Sequence, residues 1–317
     1  MNKIRKLKNF FKLFEVDGYL VPKNDDYFNE YVRRSNDRLK FITNFSGSAG
    51  FAVILKNKNY LFVDGRYTIQ ARIQSGNNFK IITIPQKFPK DVLKTKKKIR
   101  IGFDPKLHSE KQLNFLFNIK NIILKPINKN LIDKVWSQKP KDLIKPFFSL
   151  SKKDAGQDSQ KKIAKVKNVL LKKKANYLLV TAPENVAWIL NIRGYDSEYS
   201  PIPNARLLIK DNGDIDLFTQ LEKITKIKKN FSKKIKFYDE NKIERKLRNI
   251  KKNNIWLDSL SCSIYYKNLL RKKNEIIERL DPIYLLKSIK NSTEIKNMKK
   301  SHVLDGVALT KFLFWLK

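Results

Sequence analysis

The sequence is poor in the side chains that most often build metal and nucleophilic sites. Its 317 residues include two histidines, His108 and His302, and one cysteine, Cys262. A single cysteine excludes an internal disulfide and is typical of a reducing compartment, so we expect a cytoplasmic location. Neither histidine has His or Cys neighbours at metal-ligand spacing, and Cys262 has no partner for nucleophilic catalysis. We interpret both histidines as structural, and we predict no catalytic and no metal-binding residue in this chain.

Long apolar runs and complete glycine-rich catalytic motifs are also missing. No apolar run approaches the about 20 residues that a membrane-spanning helix needs. Residues 1–15 carry charges throughout, with no apolar core and no small-residue cleavage site, so we do not expect them to form a secretory signal. Residues 46–50 (SGSAG) lack both the frame of a nucleophile elbow and the Lys-Ser/Thr ending of a phosphate loop. We therefore expect no membrane partner and no catalytic site of these two kinds.

Acidic residues are few compared with basic ones. The chain has 68 Lys and Arg against 30 Asp and Glu, a formal net charge of +38. Such an excess favours a nucleic-acid-binding hypothesis. However, the lysines are spread over the whole chain, and zinc-finger spacing and aromatic RNA-binding motifs are missing. We interpret most of the charge as solvated lysine surface, and we expect no specific nucleic-acid partner.

The most informative stretch is residues 41–71 (FITNFSGSAGFAVILKNKNYLFVDGRYTIQA). A glycine-rich turn opens it, and two apolar runs, residues 51–55 and 60–63, follow with four polar residues between them. That pattern predicts a β-hairpin. The second run ends in a short charged sequence and leads into a helical segment, which places the charged sequence at a strand end.

Arg66 is the candidate binding residue of that strand end. It follows Asp64 and Gly65, and a glycine between two charged residues allows a sharp turn that leaves both side chains at a rim. A guanidinium matches a carboxylate or another anion through two parallel hydrogen bonds. The alternative is that Arg66 only pairs with Asp64 or caps a helix, because ion pairs of this kind are common.

Strands and helices alternate along the rest of the chain, which predicts an α/β fold. Three pairs of segments share their pattern: residues 19–21 and 177–180, residues 42–47 and 189–194, and the hairpins 51–63 and 206–219. We infer a duplicated α/β domain. Two prolines and little periodicity in residues 136–146 favour a linker near residues 137–151.

The pattern of the last segment predicts a helix with a wide apolar face. Asn291 followed by Glu294 matches a capping box, and apolar residues then recur at mostly three- and four-residue spacing up to Leu316. An apolar helix needs something to pack on. Because the pattern is still running at Lys317, we expect that a third domain has been cut off.

These motifs together resemble the Xaa-Pro aminopeptidase (aminopeptidase P) family in its three-domain form. The resemblance spans essentially the whole chain, and any single motif would be weak alone. The segments that carry it are residues 41–50 (FITNFSGSAG), 63–67 (VDGRY), 186–196 (VAWILNIRGYD) with Ser200-Pro201, Trp136, and 287–316 with 301–309 (SHVLDGVAL).

The resemblance implies a concrete architecture. Two tandem creatinase-type α/β domains, residues 1–143 and 144–285, would precede a pita-bread catalytic domain that starts at residues 286–317. Members of the family release the first residue of peptides that have proline in second position. Their catalytic domain holds two divalent metal ions, usually manganese, on two aspartates, one histidine and two glutamates, and the bridged water attacks the scissile carbonyl.

The resemblance also implies roles for parts of this chain. All five metal ligands would lie beyond Lys317, so none of residues 1–317 would bind metal, and this fragment alone would be inactive. Arg66 resembles the arginine of the first domain that contacts the substrate, and residues 193–201 resemble a segment near the active-site entrance. Family members commonly form homodimers in which the N-terminal domains help to cover the active site. Alternative hypotheses are a stand-alone peptide- or protein-binding module of creatinase-like fold and a basic nucleic-acid binder.

Overall fold

The computed structural model describes residues 2–317, which form two compact units. The first unit contains the residues up to Ile144 together with Asp196–Ser200 and Ser259–Lys272. The second unit contains Lys145–Tyr195, Pro201–Asp258 and Lys273–Lys317. Each unit is built around its own six-stranded mixed sheet.

Short strands and helices alternate in the first 144 residues. The strands are β1 (Gly18–Pro22), β2 (Gly50–Leu55), β3 (Asn59–Asp64), β4 (Lys80–Ile84), β5 (Ile99–Phe103) and β6 (Ile122–Pro126). The helices are α1 (Asn2–Leu13), α2 (Arg38–Thr43), α3 (Thr68–Ser75), α4 (Pro89–Val92), α5 (Glu110–Phe117) and α6 (Leu131–Val135). The sheet order is β4-β3-β2-β1-β5-β6.

The remaining residues repeat this plan. The strands are β7 (Phe148–Ser149), β8 (Tyr177–Val180), β9 (Ile192–Arg193), β10 (Arg206–Lys210), β11 (Ile215–Phe218), β12 (Ile235–Tyr238), β13 (Asn254–Leu257) and β14 (Glu275–Glu278). The helices are α7 (Lys152–Ala155), α8 (Ser159–Lys172), α9 (Pro183–Leu190), α10 (Leu221–Ile224), α11 (Ile243–Arg248), α12 (Ile264–Leu270), α13 (Pro282–Ser288) and α14 (Ser292–Leu316). The large sheet has the order β12-β11-β10-β8-β13-β14, and β7 pairs separately with β9.

The two large sheets have the same topology strand for strand. In each, an antiparallel three-strand meander supplies the centre, and the outer strands join it in parallel. The predicted duplication and the α/β fold class are therefore confirmed. Parallel outer strands require crossover connections, and the helices between them supply these.

The predicted hairpin of residues 51–63 is confirmed, with Phe51 opposite Phe62 in the β2–β3 register. These two rings stack at a centroid separation of 4.7 Å on one face of the sheet. The opposite face contributes Ala52, Ile54 and Leu61 to a second cluster. Both faces of β2 and β3 are thus buried, which explains why their sequences are apolar without alternation.

Three local features differ from what the sequence pattern predicts. The polar, aromatic-rich residues 24–36 favour a loop with a short helix, but they contain no helix, because Asp25 accepts hydrogen bonds from the amides of Tyr27 and Asn29 and competes with helix formation. The pattern of residues 89–96 predicts a short helix, and in the structure this helix ends at Val92. The short strands β12 and β14 were not predicted at all.

The tail helix agrees with its expected capping box. Asn291 accepts from the amide of Glu294 at 3.0 Å, and Glu294 accepts from the amide of Asn291 at 2.9 Å. No residue of α14 is buried, and Phe312 and Leu313 are about half exposed.

Across residues 2–317, no helix has both the length and the apolar character needed to cross a membrane. The domain boundaries at 143 and 285 stay predictions.

Candidate functional site

The candidate site lies at one edge of the first sheet. Pairing shows that β1, β3, β4, β5 and β6 run in one direction and that β2 runs against them. The carboxyl ends of those five strands therefore meet at one edge, where ligands of α/β proteins commonly bind. Asp64 is the last residue of β3, so Arg66 emerges at this edge.

Asp64 organises the turn that presents Arg66. Its side chain caps the 3₁₀ turn Gly65–Tyr67 by accepting from the amide of Arg66 at 3.0 Å. The same Oδ1 accepts from Arg66 Nε at 2.8 Å. The alternative pairing that the sequence left open is therefore present in the structure.

This ion pair leaves most of the guanidinium available. The side chain of Arg66 is 72% exposed, and neither of its terminal nitrogens has a hydrogen-bond partner among residues 2–317. Its guanidinium carbon lies 5.4 Å from the ring centroid of Tyr67, which limits its directions. The hydrogen bond from Arg66 lowers the pKa of Asp64, so the pair stays charged at neutral pH. Arg66 can thus hold Asp64 through one edge and present two N–H groups to a carbonyl or carboxylate.

The glycine-rich turn supports the same edge. Ser48 Oγ lies 2.8 Å from the Tyr67 hydroxyl, which ties the turn to the base of the Arg66 side chain. A Cβ on Gly47 would stand 2.2 Å from the buried ring of Phe45, so only glycine allows this approach. The amide of Ser46 donates to Gln74 of α3 at 2.8 Å. The glycine-rich turn and the Asp-Gly-Arg segment therefore belong to one local structure.

Residues 193–201 use their charges differently. Arg193 donates from Nη1 to the carbonyls of Ala187 and Ile192 in the second unit, and burial lowers its pKa. Asp196, which clusters with the first unit, accepts from Arg33 Nε through its carbonyl at 2.8 Å and from Arg33 Nη2 through its carboxylate at 2.5 Å. Both side chains are committed to internal contacts. Of the two charged segments that the sequence singled out, only Arg66 presents a guanidinium to solvent.

The histidines and the cysteine occupy different environments. His302 is exposed on α14, and Cys262 is buried with its thiol directed at the carbonyl of Ser263. His108 is fully buried, and that burial lowers its pKa to about 4, an effect that the neighbouring Gln112 amide offsets only in part. His108 is therefore neutral at physiological pH. His108 lines a pocket of the first unit together with Phe28 and Phe115, and this position was not predicted from the sequence.

The described residues do not fit a metal centre. Within residues 2–317, no group of three or more His, Cys, Asp or Glu side chains is arranged to hold a metal ion. A dinuclear site needs carboxylates or imidazoles that converge on the ions. The described part of the chain therefore lacks the converging ligands of such a site.

Comparison with known proteins agrees with this architecture. Residues 3–128 and residues 138–294 match two family models, both described as the creatinase/prolidase N-terminal domain. The chain is 32% identical to Xaa-Pro aminopeptidase 1 of Dictyostelium discoideum, with 99% of this chain and 53% of the relative aligned. It is 31% identical to the Xaa-Pro aminopeptidase ApepP of Drosophila melanogaster, over 95% of this chain and 51% of the relative.

A solved structure extends the comparison to three dimensions. X-prolyl aminopeptidase from Caenorhabditis elegans, described as a cytosolic enzyme with a di-nuclear active site, superposes with a TM-score of 0.86 at 25% identity. The match covers 99% of this chain and 55% of that protein. The chain spans about half the length of the relatives it matches.

The duplicated sheets and both family models define the class: the chain belongs to the creatinase/prolidase N-terminal domain family, whose domain occurs in it twice. Along almost its entire length the similarity is to Xaa-Pro aminopeptidases in particular, and the resemblance inferred from sequence motifs is confirmed.

Proposed function

We propose that this chain is the N-terminal, substrate-facing half of a Xaa-Pro aminopeptidase. The observation that carries the proposal is the similarity of 99% of the chain to about half of proteins with that name. In this proposal, residues 1–143 and 144–285 are the two creatinase-type domains, and residues 286–317 open a third, catalytic domain. The exposed apolar side of α14 is the surface on which that third domain packs.

In this proposal, the metal chemistry belongs to the part of the relatives that this chain does not cover. Since residues 2–317 hold no group suited to a metal ion, we place the two divalent ions, manganese by the family resemblance, on ligands of the third domain. Hydrolysis of the bond before proline would then require both halves. The first half would contribute binding and gating of the peptide rather than the attacking water.

Arg66 is the residue to which we assign substrate contact. Its two free terminal nitrogens and its exposure at the carboxyl edge suit a bidentate bond to a peptide carbonyl or to the terminal carboxylate of a short peptide. We also propose that the protein forms a homodimer and is cytoplasmic. The Caenorhabditis relative, which is described as cytosolic, supports that location.

The coding sequence beyond codon 317 tests the proposal most directly. We expect an open frame that encodes two aspartates, one histidine and two glutamates in the order of the pita-bread domain. The product of that longer frame should release the first residue of a peptide with proline second, and should not act when alanine replaces that proline. A stop codon after Lys317 would overturn the proposal and favour the stand-alone binding module.

A further inference from the structure

A pocket of about 380 Å³ in the first unit is formed by α1, by α2 with the loop before it, and by the segment that follows α6. A volume of this size holds one small ligand. Trp136, one of the residues that carry the family resemblance, lines this pocket and has no part in the peptidase function proposed above. Its surroundings combine aromatic, cationic and amide groups, which together define a ligand class.

An aromatic wall forms one side of the pocket. The rings of Phe41 and Trp136 stack at a centroid separation of 4.6 Å and an interplanar angle of 13°. Lys3 lies 4.7 Å from the centroid of the Phe41 ring and donates from Nζ to the Phe41 carbonyl at 3.0 Å. Phe41 and Trp136 are both half-buried, so part of each ring stays accessible. The wall is therefore held in place before any ligand arrives, and a flat ring can pack against it.

Two cationic side chains at the pocket are free. Arg34 and Lys40 are exposed, and neither side chain makes a hydrogen bond or an ion pair within the part of the chain that the structure describes. A guanidinium and an ammonium both form charge-assisted hydrogen bonds to phosphate oxygens. The two side chains therefore offer complementary donors to one phosphate group.

The carboxylate in the lining, Asp37, does not cancel this positive charge. Its Oδ2 accepts from Lys23 Nζ at 2.6 Å, and its Oδ1 accepts from the amide of Lys40 at 3.1 Å. The side chains of Lys23 and Asp37 are only 7% and 11% exposed. Because Lys23 already neutralises Asp37, the charges of Arg34 and Lys40 remain uncompensated at the pocket.

A side-chain amide lies on the same helix face as one of these cations. Asn44 is the C-cap of α2 at φ 64°, and Lys40 precedes it by four residues, so one face of α2 carries both. The Asn44 side chain is exposed and has no hydrogen-bond partner in the described residues. An amide donates and accepts at once, which matches the neighbouring donor and acceptor on the edge of an adenine.

We propose that this pocket binds an adenine mononucleotide. The phosphate lies between Arg34 and Lys40, the base packs on the aromatic wall beside Trp136, and Asn44 bonds to the edge of the base. Scattered lysines alone would attract any anion, whereas this combination distinguishes a nucleotide from a simple phosphate. The volume of the pocket favours a free nucleotide over a nucleic-acid strand. The site is separate from the proposed peptidase function and does not depend on it.

The test is a titration of the 317-residue chain with AMP, followed by ¹H NMR of the ligand. Sodium chloride at about 0.15 M screens the charge of the dispersed lysines. We expect a Kd of about 0.1 mM. Ribose 5-phosphate keeps the phosphate and adenosine keeps the base. Each should bind about tenfold more weakly than AMP, because each lacks one set of contacts.

Two variants separate the phosphate contacts from the base contacts. Arg34→Gln should weaken binding of AMP and ribose 5-phosphate about fivefold and leave adenosine unchanged. Asn44→Gly should weaken AMP and adenosine about threefold and leave ribose 5-phosphate unchanged. Glycine keeps the positive φ of this C-cap, so α2 stays intact. Arg72→Gln, which removes an exposed arginine of α3, is the matched control and should change none of these affinities.

Three results would overturn the proposal. The first is no binding of AMP at about 1 mM, ten times the expected Kd. The second is equal affinity for AMP and ribose 5-phosphate, which would show attraction by charge alone. The third is the same affinity for AMP in the Arg34→Gln and Arg72→Gln variants, each confirmed as folded by circular dichroism.

A short RNA distinguishes the two sources of a nucleoside phosphate. The probe is an RNA oligomer of adenosine, compared in the unmodified protein and in Arg34→Gln. A free-nucleotide site should lose no more affinity for the oligomer than for AMP, because other lysines also hold the strand. A larger loss for the oligomer would assign the pocket to a nucleic-acid strand and overturn its assignment to a free nucleotide.

Discussion

Arg66 combines two roles that the sequence had left as alternatives. Its Nε and backbone amide both bond to Asp64, while its terminal nitrogens remain free at the sheet edge. An exposed ion pair of this kind contributes little to stability, because solvent screens it. The pair therefore serves to orient Arg66, because it holds the guanidinium in a limited set of directions.

Replacing Arg66 should separate binding from stability. Arg66→Gln should change the free energy of unfolding by less than about 0.5 kcal/mol, because the Arg66 side chain is exposed and solvent screens its pairing with Asp64. In the longer product it should raise the KM for a peptide with proline second by about tenfold, since it removes a bidentate bond. Arg72→Gln, an exposed arginine on α3, is the matched control. An unchanged KM for Arg66→Gln would contradict the assignment of substrate contact.

Two glycines should respond in opposite directions to the same substitution. Gly47→Ala places a methyl group 2.2 Å from the ring of Phe45, so we expect a loss of about 2 kcal/mol in unfolding free energy. Gly306→Ala meets no atom within 4 Å on α14 and should stabilise that helix by up to about 1 kcal/mol. Urea unfolding measures the first change, and amide hydrogen exchange along α14 measures the second. A neutral Gly47→Ala would show that Phe45 has room to move.

Among the helices, α8 and α9 are joined by a buried amine. Lys162 is 1% exposed, and its Nζ donates to the carbonyl of Trp188 at 2.9 Å and to Asn191 Oδ1 at 2.7 Å. It also lies 4.2 Å from the centroid of the Trp188 ring. The C-terminal end of α9 attracts a positive charge, yet burial dominates and lowers the pKa of Lys162 to about 8.

This amine should produce a specific pH dependence of stability. In the folded state Lys162 loses its proton near pH 8, whereas the unfolded chain keeps that proton up to the ordinary lysine pKa of about 10.4. The unfolded state binds more protons between these values, so the free energy of unfolding should rise with pH across that window. Urea unfolding of the protein and of Lys162→Met from pH 7 to about 10 isolates the effect. A constant difference between the two proteins would contradict it.

At the scale of the whole molecule, the dominant property is charge. A formal net charge of +38 on 317 residues repels itself in the folded state, where the lysines are closest together. Dispersed charge of this kind acts over about a Debye length and is weakened by salt. The stability of the protein should therefore depend on ionic strength more than that of a neutral protein of similar size.

Thermal unfolding in sodium chloride measures this repulsion. Raising the salt concentration from about 0.05 M to about 0.5 M should raise the Tm by about 5 °C, because shorter screening lengths relieve repulsion in the folded state. The same increase in salt above about pH 10 should have a smaller effect, since lysines then lose their protons. A Tm that falls with salt at pH 7 would indicate that ion pairs, rather than repulsion, dominate.

Much of the fold was predictable because its signals are local. The hairpin turns, the Ser109 and Asn291 caps and the apolar runs each reflect a preference within a few residues. Strands β12 and β14 were missed because IKFY and EIIE are short and partly charged. Their strand conformation comes from parallel pairing with β11 and β13, which sequence periodicity does not show.

The duplicated α/β plan and the rim position of Arg66 follow from the amino-acid sequence, since strand ends, turns and repeats depend on neighbouring residues. The pocket lined by His108, Phe28 and Phe115 does not follow from it, because the sheet brings together residues far apart in the chain. Packing also explains why the guanidinium of Arg193 makes internal hydrogen bonds while that of Arg66 faces solvent. Burial and partners are properties of packing, and packing depends on contacts that no local pattern contains.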